Sequence, residues 1–222
     1  MLNRQGKHKI DWTDWTWNPI TGCKHGCPYC YMLRKQDEMK PAFRPEYLER
    51  FKSIRKVKSN DKIFVGSSGD MLGDWVPKEW IYSFFAKAVD HRPDVIFQLL
   101  TKNPKRYADF DFGVFKNCWC GTTVDGTLRT KDNISILVNS VGPDNIKFIS
   151  FEPLIKQPKI NGDDFAKLDW IIIGADSNKG ADVIPKSWGE ELLALASEYD
   201  IPVWIKDNYN WPFEVKEFPE IL

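Results

Sequence analysis

Asp169-Trp170-Ile171-Ile172-Ile173-Gly174 is four large apolar residues in a row, three of them β-branched, closed by a glycine. A run this short and this apolar reads as a strand buried on both faces, the signature of a parallel sheet rather than of a half-solvated antiparallel one. Working outward, the same reading applies to Lys62-Ile63-Phe64-Val65-Gly66, Val95-Ile96-Phe97-Gln98-Leu99-Leu100-Thr101, Trp119-Cys120-Gly121-Thr122-Thr123-Val124, Lys147-Phe148-Ile149-Ser150-Phe151 and Val203-Trp204-Ile205-Lys206, with an earlier strand near Trp15-Thr16-Trp17. Helices are predicted over 29–36, 45–56, 77–90, 104–110, 127–140 and 186–198, with Pro45 and Pro77 at first-turn positions where a missing N–H costs little. Strand and helix alternate about seven times. The expected fold class is therefore α/β, a partial or compact parallel (β/α) barrel one unit short of eight. No repeat or linker divides the chain, so one domain is expected over 1–222.

The most chemically loaded segment is Gly22-Cys23-Lys24-His25-Gly26-Cys27-Pro28-Tyr29-Cys30-Tyr31. Three cysteines in eight residues of one loop are spaced to hold a single inorganic centre. A structural zinc site takes four protein ligands, usually as two separated pairs, whereas three thiolates leave one metal corner free for a substrate or cofactor. Disulfides fit poorly, because the five cysteines are an odd number and the first thirty residues contain no apolar signal segment. Zinc with His25 as fourth ligand is the alternative; His25 lies between two of the cysteines, where so short a loop strains to aim four groups at one tetrahedral centre.

The loop follows the first strand of the predicted sheet, at the carboxyl edge where ligands collect in parallel α/β folds. Other strand ends carry polar residues suited to the same mouth: Ser67, Ser68 and Asp70; Thr101 and Lys102; Thr122, Thr123 and Asp125; Glu152; Asp176 and Ser177; Lys206 and Asp207. Asp125 and Ser177 read as turn residues or caps. Glu152 belongs either at the pocket or in a pair with a lysine or arginine, since a carboxylate is not buried alone. Cys118 and Cys120 flank Trp119, so a strand sends both to one face as buried core thiols.

Cys-x3-Cys-x2-Cys with an aromatic residue, Tyr29, before the third cysteine resembles the signature of the radical S-adenosylmethionine (SAM) superfamily. The resemblance implies Cys23, Cys27 and Cys30 as ligands of a 4Fe-4S cluster whose fourth iron takes SAM, a radical SAM barrel, an electron donor such as flavodoxin or ferredoxin, and reductive cleavage of SAM to a 5'-deoxyadenosyl radical that abstracts hydrogen from a substrate. Gly66-Ser67-Ser68-Gly69-Asp70 occupies the place where that superfamily usually carries Gly-Gly-Glu against SAM's amino group. Tyr29, Gly66, Ser67, Ser68, Asp70, Thr122 and Glu152 are the implied cofactor contacts, with Glu152 and Lys206 in the catalytic roles. Wider stretches, among them Asp14-Trp15-Thr16-Trp17-Asn18-Pro19, Phe97 to Lys102 and Phe148 to Leu154, resemble an uncharacterised phage-associated family of three-cysteine radical SAM-like proteins over roughly residues 11–206. The chain departs from that family in its closer first cysteine and in Ala175-Asp176 where the family tends to have a glutamate.

Lysine plus arginine balances aspartate plus glutamate at 31 each, so global charge does not mark a nucleic-acid binder. A basic run, Arg50, Lys52, Arg55, Lys56, Lys58 and Lys62, reads as a solvated helix face or a phosphate contact, and Trp12, Trp15 and Trp17 as a buried strand face or as base-stacking platforms. A nucleotide, a nucleic acid or a peptide stays open as substrate class. No run approaches membrane-spanning length, and a cytoplasmic protein without membrane contact is expected.

Overall fold

The computed structural model describes residues 2–6, 9–34, 40–51 and 54–220. Among them, eight strands form one sheet: β1 (Leu2–Arg4), β2 (Trp15–Trp17), β5 (Lys62–Val65), β6 (Ile96–Thr101), β7 (Cys118–Thr123), β8 (Lys147–Phe151), β9 (Trp170–Ile173) and β10 (Val203–Ile205), in that spatial order. β1 runs antiparallel to β2, and every later neighbour pair is parallel. Two further strands, β3 (Ile20–Thr21) and β4 (Ala42–Phe43), make a separate antiparallel pair that brackets the cysteine loop. The fold is thus α/β with a mostly parallel sheet, and no described helix is long and apolar enough to cross a membrane.

Alternation along the strands splits the apolar residues between two clusters. Trp15, Trp17, Ile63, Val65, Phe97, Leu99, Cys118, Cys120, Ile149, Phe151, Ile171 and Ile173 face the helices α1 (Pro45–Phe51), α2 (Lys78–Phe84), α3 (Asn133–Ser140), α4 (Gly162–Phe165) and α5 (Lys186–Glu198). Phe64, Ile96, Trp119, Phe148, Trp170, Ile172 and Trp204 form the other face, joined by Trp12. Trp12 sits 4.8 Å from the ring of Phe64 on β5 and 6.1 Å from that of Trp170 on β9. Those strands are four positions apart, about 19 Å in a flat sheet. One indole touches both because the sheet curls around it. Gly121 makes the curl possible on β7, since a Cβ there would stand 2.3 Å from the Phe148 ring.

The open edge at β10 is covered by the chain's own C-terminal segment. Ile205 N–H donates to Val215 O and Glu217 N–H to Val203 O, at 2.9 and 3.0 Å. Phe218 then enters the aromatic cluster, 4.8 Å from Trp204 and 5.4 Å from Trp170. A sheet edge left bare would be a pairing hazard.

Several expected elements are shorter than read. Of the helix expected over 45–56, Pro45–Phe51 is helical, residues 52–53 lie outside the described residues and 54–56 are not helical; the one expected over 77–90 runs as α2 and continues in a wider helical turn over Phe85–Val89. The helix expected over 104–110 is a 3-10 helix, Pro104–Asp109, and α3 begins at Asn133 because residues 127–130 are spent on a turn around Asp125. Tyr31–Arg34 is a 3-10 turn, and the rest of the helix predicted to residue 36 lies outside the described residues. So does Lys52 of the basic run. The run's other members lie on α1, in the loop before β5 and, for Lys62, at the first residue of β5, away from the cysteine loop, where Lys56 packs over Trp15 and Lys62 over Phe218.

Candidate functional site

The carboxyl ends of β5 to β8 and β10 and the loop after β9 open on one cavity of about 490 Å3. Cys23, Cys27 and Cys30 form one wall, residues 66–70 a second, and Thr101, Lys102, Thr123, Ser150, Glu152, Lys206 and the loop 175–178 further sides above an apolar floor of Ile10, Trp12, Phe64 and Leu100.

The cysteine loop is attached to the sheet by a close backbone approach. Gly22 N–H donates to Ser68 O at 3.2 Å and Asp70 N–H to Gly22 O at 3.3 Å. A Cβ on Gly69 would lie 2.8 Å from Gly22 O, so this crossing requires glycine there. Asn18 fixes the facing turn, accepting from Ser68 N–H at 3.0 Å and bonding the Ser67 hydroxyl at 3.0 Å. The carbonyls of Gly66, Ser67 and Ser68 each accept one hydrogen bond, from Gly69, Tyr31 and Gly22, which leaves each a second lone pair.

Four side chains hold the loop from outside. His25 Nε2 is 2.7 Å from Asp70 Oδ2. The Tyr29 hydroxyl donates to Asp125 Oδ2 at 2.7 Å, and Asn178 donates to Tyr29 O at 2.7 Å. Arg129 donates to His25 O at 2.5 Å, with its other terminal nitrogen 3.7 Å from Cys27 Sγ. These contacts come from loops after β5, β7 and β9, so three strand ends position one loop.

Asp70 lines the cavity but is spent internally. Its carboxylate accepts from His25, Thr101 Oγ1, Lys102 N–H and Leu72 N–H, all at 2.7 to 3.0 Å. Burial pushes its pKa up, and the bonds from His25, Lys102 and Thr101 outweigh that and hold it below the ordinary carboxylate value. Asp70, one of the implied cofactor contacts, thus lines the cavity while its carboxylate serves as the buckle of the cysteine loop. Asp125 is held low in the same way, with burial opposed by Thr130, Tyr29 and Thr127, and burial together with Asp125 pushes the Tyr29 hydroxyl well up. Reading Asp125 as only a turn residue missed its grip on Tyr29.

Glu152 and Lys206 both line the cavity and form an ion pair with each other, so the two alternatives for Glu152 are realised together. Gly174 clears their space, since a Cβ there would stand 3.1 Å from both Glu152 Cγ and Lys206 Cδ. Thr122 does not join the cavity. Strand parity turns it to the helix face, where it donates to Thr101 O at 2.8 Å and accepts from Asn133 of α3 at 3.2 Å; Thr123 points inward instead. Trp15 and Trp17 are core residues at 6% and 1% exposure, whereas Trp12 lines the cavity floor.

Burial is the first cause that pushes the Cys23 thiol up, to about 11, with Asp70 and the neighbouring cysteines adding to it. Any metal taken up here has to displace that proton. Among the described residues, no three His, Cys, Asp or Glu side chains converge on one point as a single ion requires.

No curated protein and no solved structure matches the chain. A family model described as "Protein of unknown function (DUF5131)" matches residues 7–217, nearly the whole length. The chain belongs to that family.

Proposed function

We propose that the chain is a radical SAM enzyme, with Cys23, Cys27 and Cys30 holding a 4Fe-4S cluster and SAM bound beside it. The observation that carries this reading is the meeting of all three loop thiols with the 66–70 turn and the Glu152–Lys206 pair in one cavity at the carboxyl ends of parallel strands. The curled sheet, whose parallel strands follow one another in sequence order, is read on the same ground as the partial (β/α) barrel of the radical SAM type.

The residues fit the group. A cubane seats each thiolate on a different iron, so the thiols need to face one cavity without converging on one point. Such a cluster, with SAM on its open iron, supplies a one-electron reductive cleavage of the sulfonium. The protein's share is to hold and orient. Arg129 directs a guanidinium N–H at Cys27 Sγ, His25 and Tyr29 are locked to carboxylates, and Glu152 and Lys206 present opposite charges to the polar groups of SAM or substrate.

A zinc or iron-sulfur binding module without SAM cleavage is the second reading. The His25–Asp70 bond favours it, because metal-bound imidazoles commonly give their other nitrogen to a carboxylate. Anaerobic reconstitution with iron and sulfide, then SAM and a reductant, separates the two. The proposal expects methionine and 5'-deoxyadenosine by chromatography. A fully loaded cluster that forms neither would leave the binding module.

A further inference from the structure

Two buried polar groups facing the floor of this cavity have no hydrogen-bond partner among the described residues: Trp12 Nε1 and Ser150 Oγ. Both residues are 1% exposed, and both line the cavity. Neighbouring side chains leave them open for different reasons. Trp12 lies against rings, Phe64 at 4.8 Å, Phe148 at 6.4 Å and Trp170 at 6.1 Å, none of which accepts an in-plane N–H. Ser150 is two residues beyond Phe148 on the same face of β8, one layer nearer the mouth. Its register partner on β7 is Thr123, whose hydroxyl is met instead by Lys102 at 3.4 Å. A buried donor left without a partner keeps its full desolvation penalty, so two in one pocket call for a ligand that completes them.

The donor set defines that ligand. An indole N–H only donates, and the carboxylates lining the cavity are already engaged, Asp70 with His25, Glu152 with Lys206 and Asp176 with Asn178. The ligand must therefore bring acceptors. Phe64, Leu100, Ile10 and the Trp12 ring make the surrounding floor apolar and aromatic, which suits a flat ring lying against them. An exocyclic carbonyl oxygen projects beyond the ring edge and has two lone pairs to offer recessed donors, where a ring nitrogen has one.

We propose that the cavity floor is a substrate subsite for an oxo-substituted nucleobase, a pyrimidine or an oxo-purine, whose carbonyl edge accepts from Trp12 Nε1 and Ser150 Oγ. As the substrate end of the proposed cofactor cavity it rests on the reading above, yet its test needs neither SAM turnover nor an iron count.

The test follows the indole N–H signals of the purified full-length chain, 15N-labelled, during titration with uridine, guanosine, adenosine and S-adenosylhomocysteine; Trp12→Phe identifies the Trp12 signal. Uridine or guanosine is expected to move that signal downfield, with adenosine the weaker ligand. Ser150→Ala is expected to weaken uridine binding about fivefold, the worth of one neutral hydrogen bond, and Trp12→Phe by a similar factor while keeping a ring in place. The proposal is overturned by a Trp12 signal that uridine and guanosine leave unmoved at millimolar concentration, by variants that bind uridine as the parent does, or by a shift with S-adenosylhomocysteine alone. The last result would give the floor to the cofactor.

Discussion

Cys27 and Cys120 are both buried thiols, 5% and 0% exposed, yet they occupy opposite kinds of surroundings. Cys120 sits with Cys118 on β7 beneath the helices; burial pushes both thiols well up, and both belong to the apolar cluster on that face. Cys27 belongs to a loop that makes no core, held by Gly22, His25, Tyr29 and Arg129 through polar contacts, and it faces a cavity. The difference teaches that burial alone says little about a cysteine. What surrounds it, apolar side chains or an anchored loop opening on a pocket, separates a packing thiol from a candidate ligand.

The comparison breaks most sharply under substitution. Cys23→Ala, Cys27→Ala and Cys30→Ala should each cut bound iron and sulfide at least tenfold, because a cubane left with two protein thiolates is no longer held. Cys118→Ala and Cys120→Ala should leave iron unchanged. Metal analysis after desalting reads both, and full iron in any loop variant would erase the distinction.

Thiol chemistry sharpens it further. Raised to about 11 by burial, the Cys23 thiol of the metal-free folded chain should alkylate tens of fold more slowly at pH 9 than a free peptide thiol. The sign follows from the raised pKa. The folded chain keeps the proton that the unfolded chain loses near pH 9, so the associated stability is complete below that pH and is lost as pH rises through about 11. Trypsin cuts after Lys24 and separates Cys23 from the other two for mass spectrometry.

The opposite wall of the cavity should respond more gently. Glu152→Gln leaves the Lys206 ammonium without its carboxylate, and SAM affinity is expected to fall about tenfold with the cluster intact. Gly174→Ala, which drives a methyl to 3.1 Å from both side chains of that pair, should weaken SAM several-fold without touching iron. Equilibrium dialysis measures both; unchanged affinity would remove the pair from the site. The smallest effect belongs to the core pair: Cys120→Ala should cost roughly 1 to 2 kcal/mol in denaturant unfolding, as the loss of one buried atom in a packed interior does.

The seven parallel strands of the sheet are legible in the sequence because each is an apolar run, whereas the short antiparallel edge strand β1 is not; α5 falls on the residues predicted for it. Strand parity separates Thr122 from Thr123: Cys118, Cys120 and Thr122 share one face of β7, so reading the two thiols as core already turns Thr122 away from the pocket, against the expectation that places both threonines at the mouth. Asp125 reads as a turn residue or cap, Arg129 falls within the helix predicted over 127–140, and Asn178 carries no signal of its own. Their roles come from partners 96 to 149 residues away: Asn178 meets Tyr29 at the far limit of that span, and Arg129 and Asp125 meet the same loop across 104 and 96 residues. No local pattern encodes such contacts. The segment that covers β10 and plugs the aromatic cluster with Phe218 was missed for the same reason, being short, polar and paired at its edge.

The central claim is that the three loop thiols hold a cluster with an iron open to SAM. Electron paramagnetic resonance of the anaerobically reconstituted, dithionite-reduced chain tests it most directly, recorded before and after SAM is added. A reduced 4Fe-4S signal from about four irons per chain, whose g values shift when SAM binds, is the predicted result. A colourless chain carrying stoichiometric zinc, or a cluster signal that SAM leaves unchanged, would contradict it.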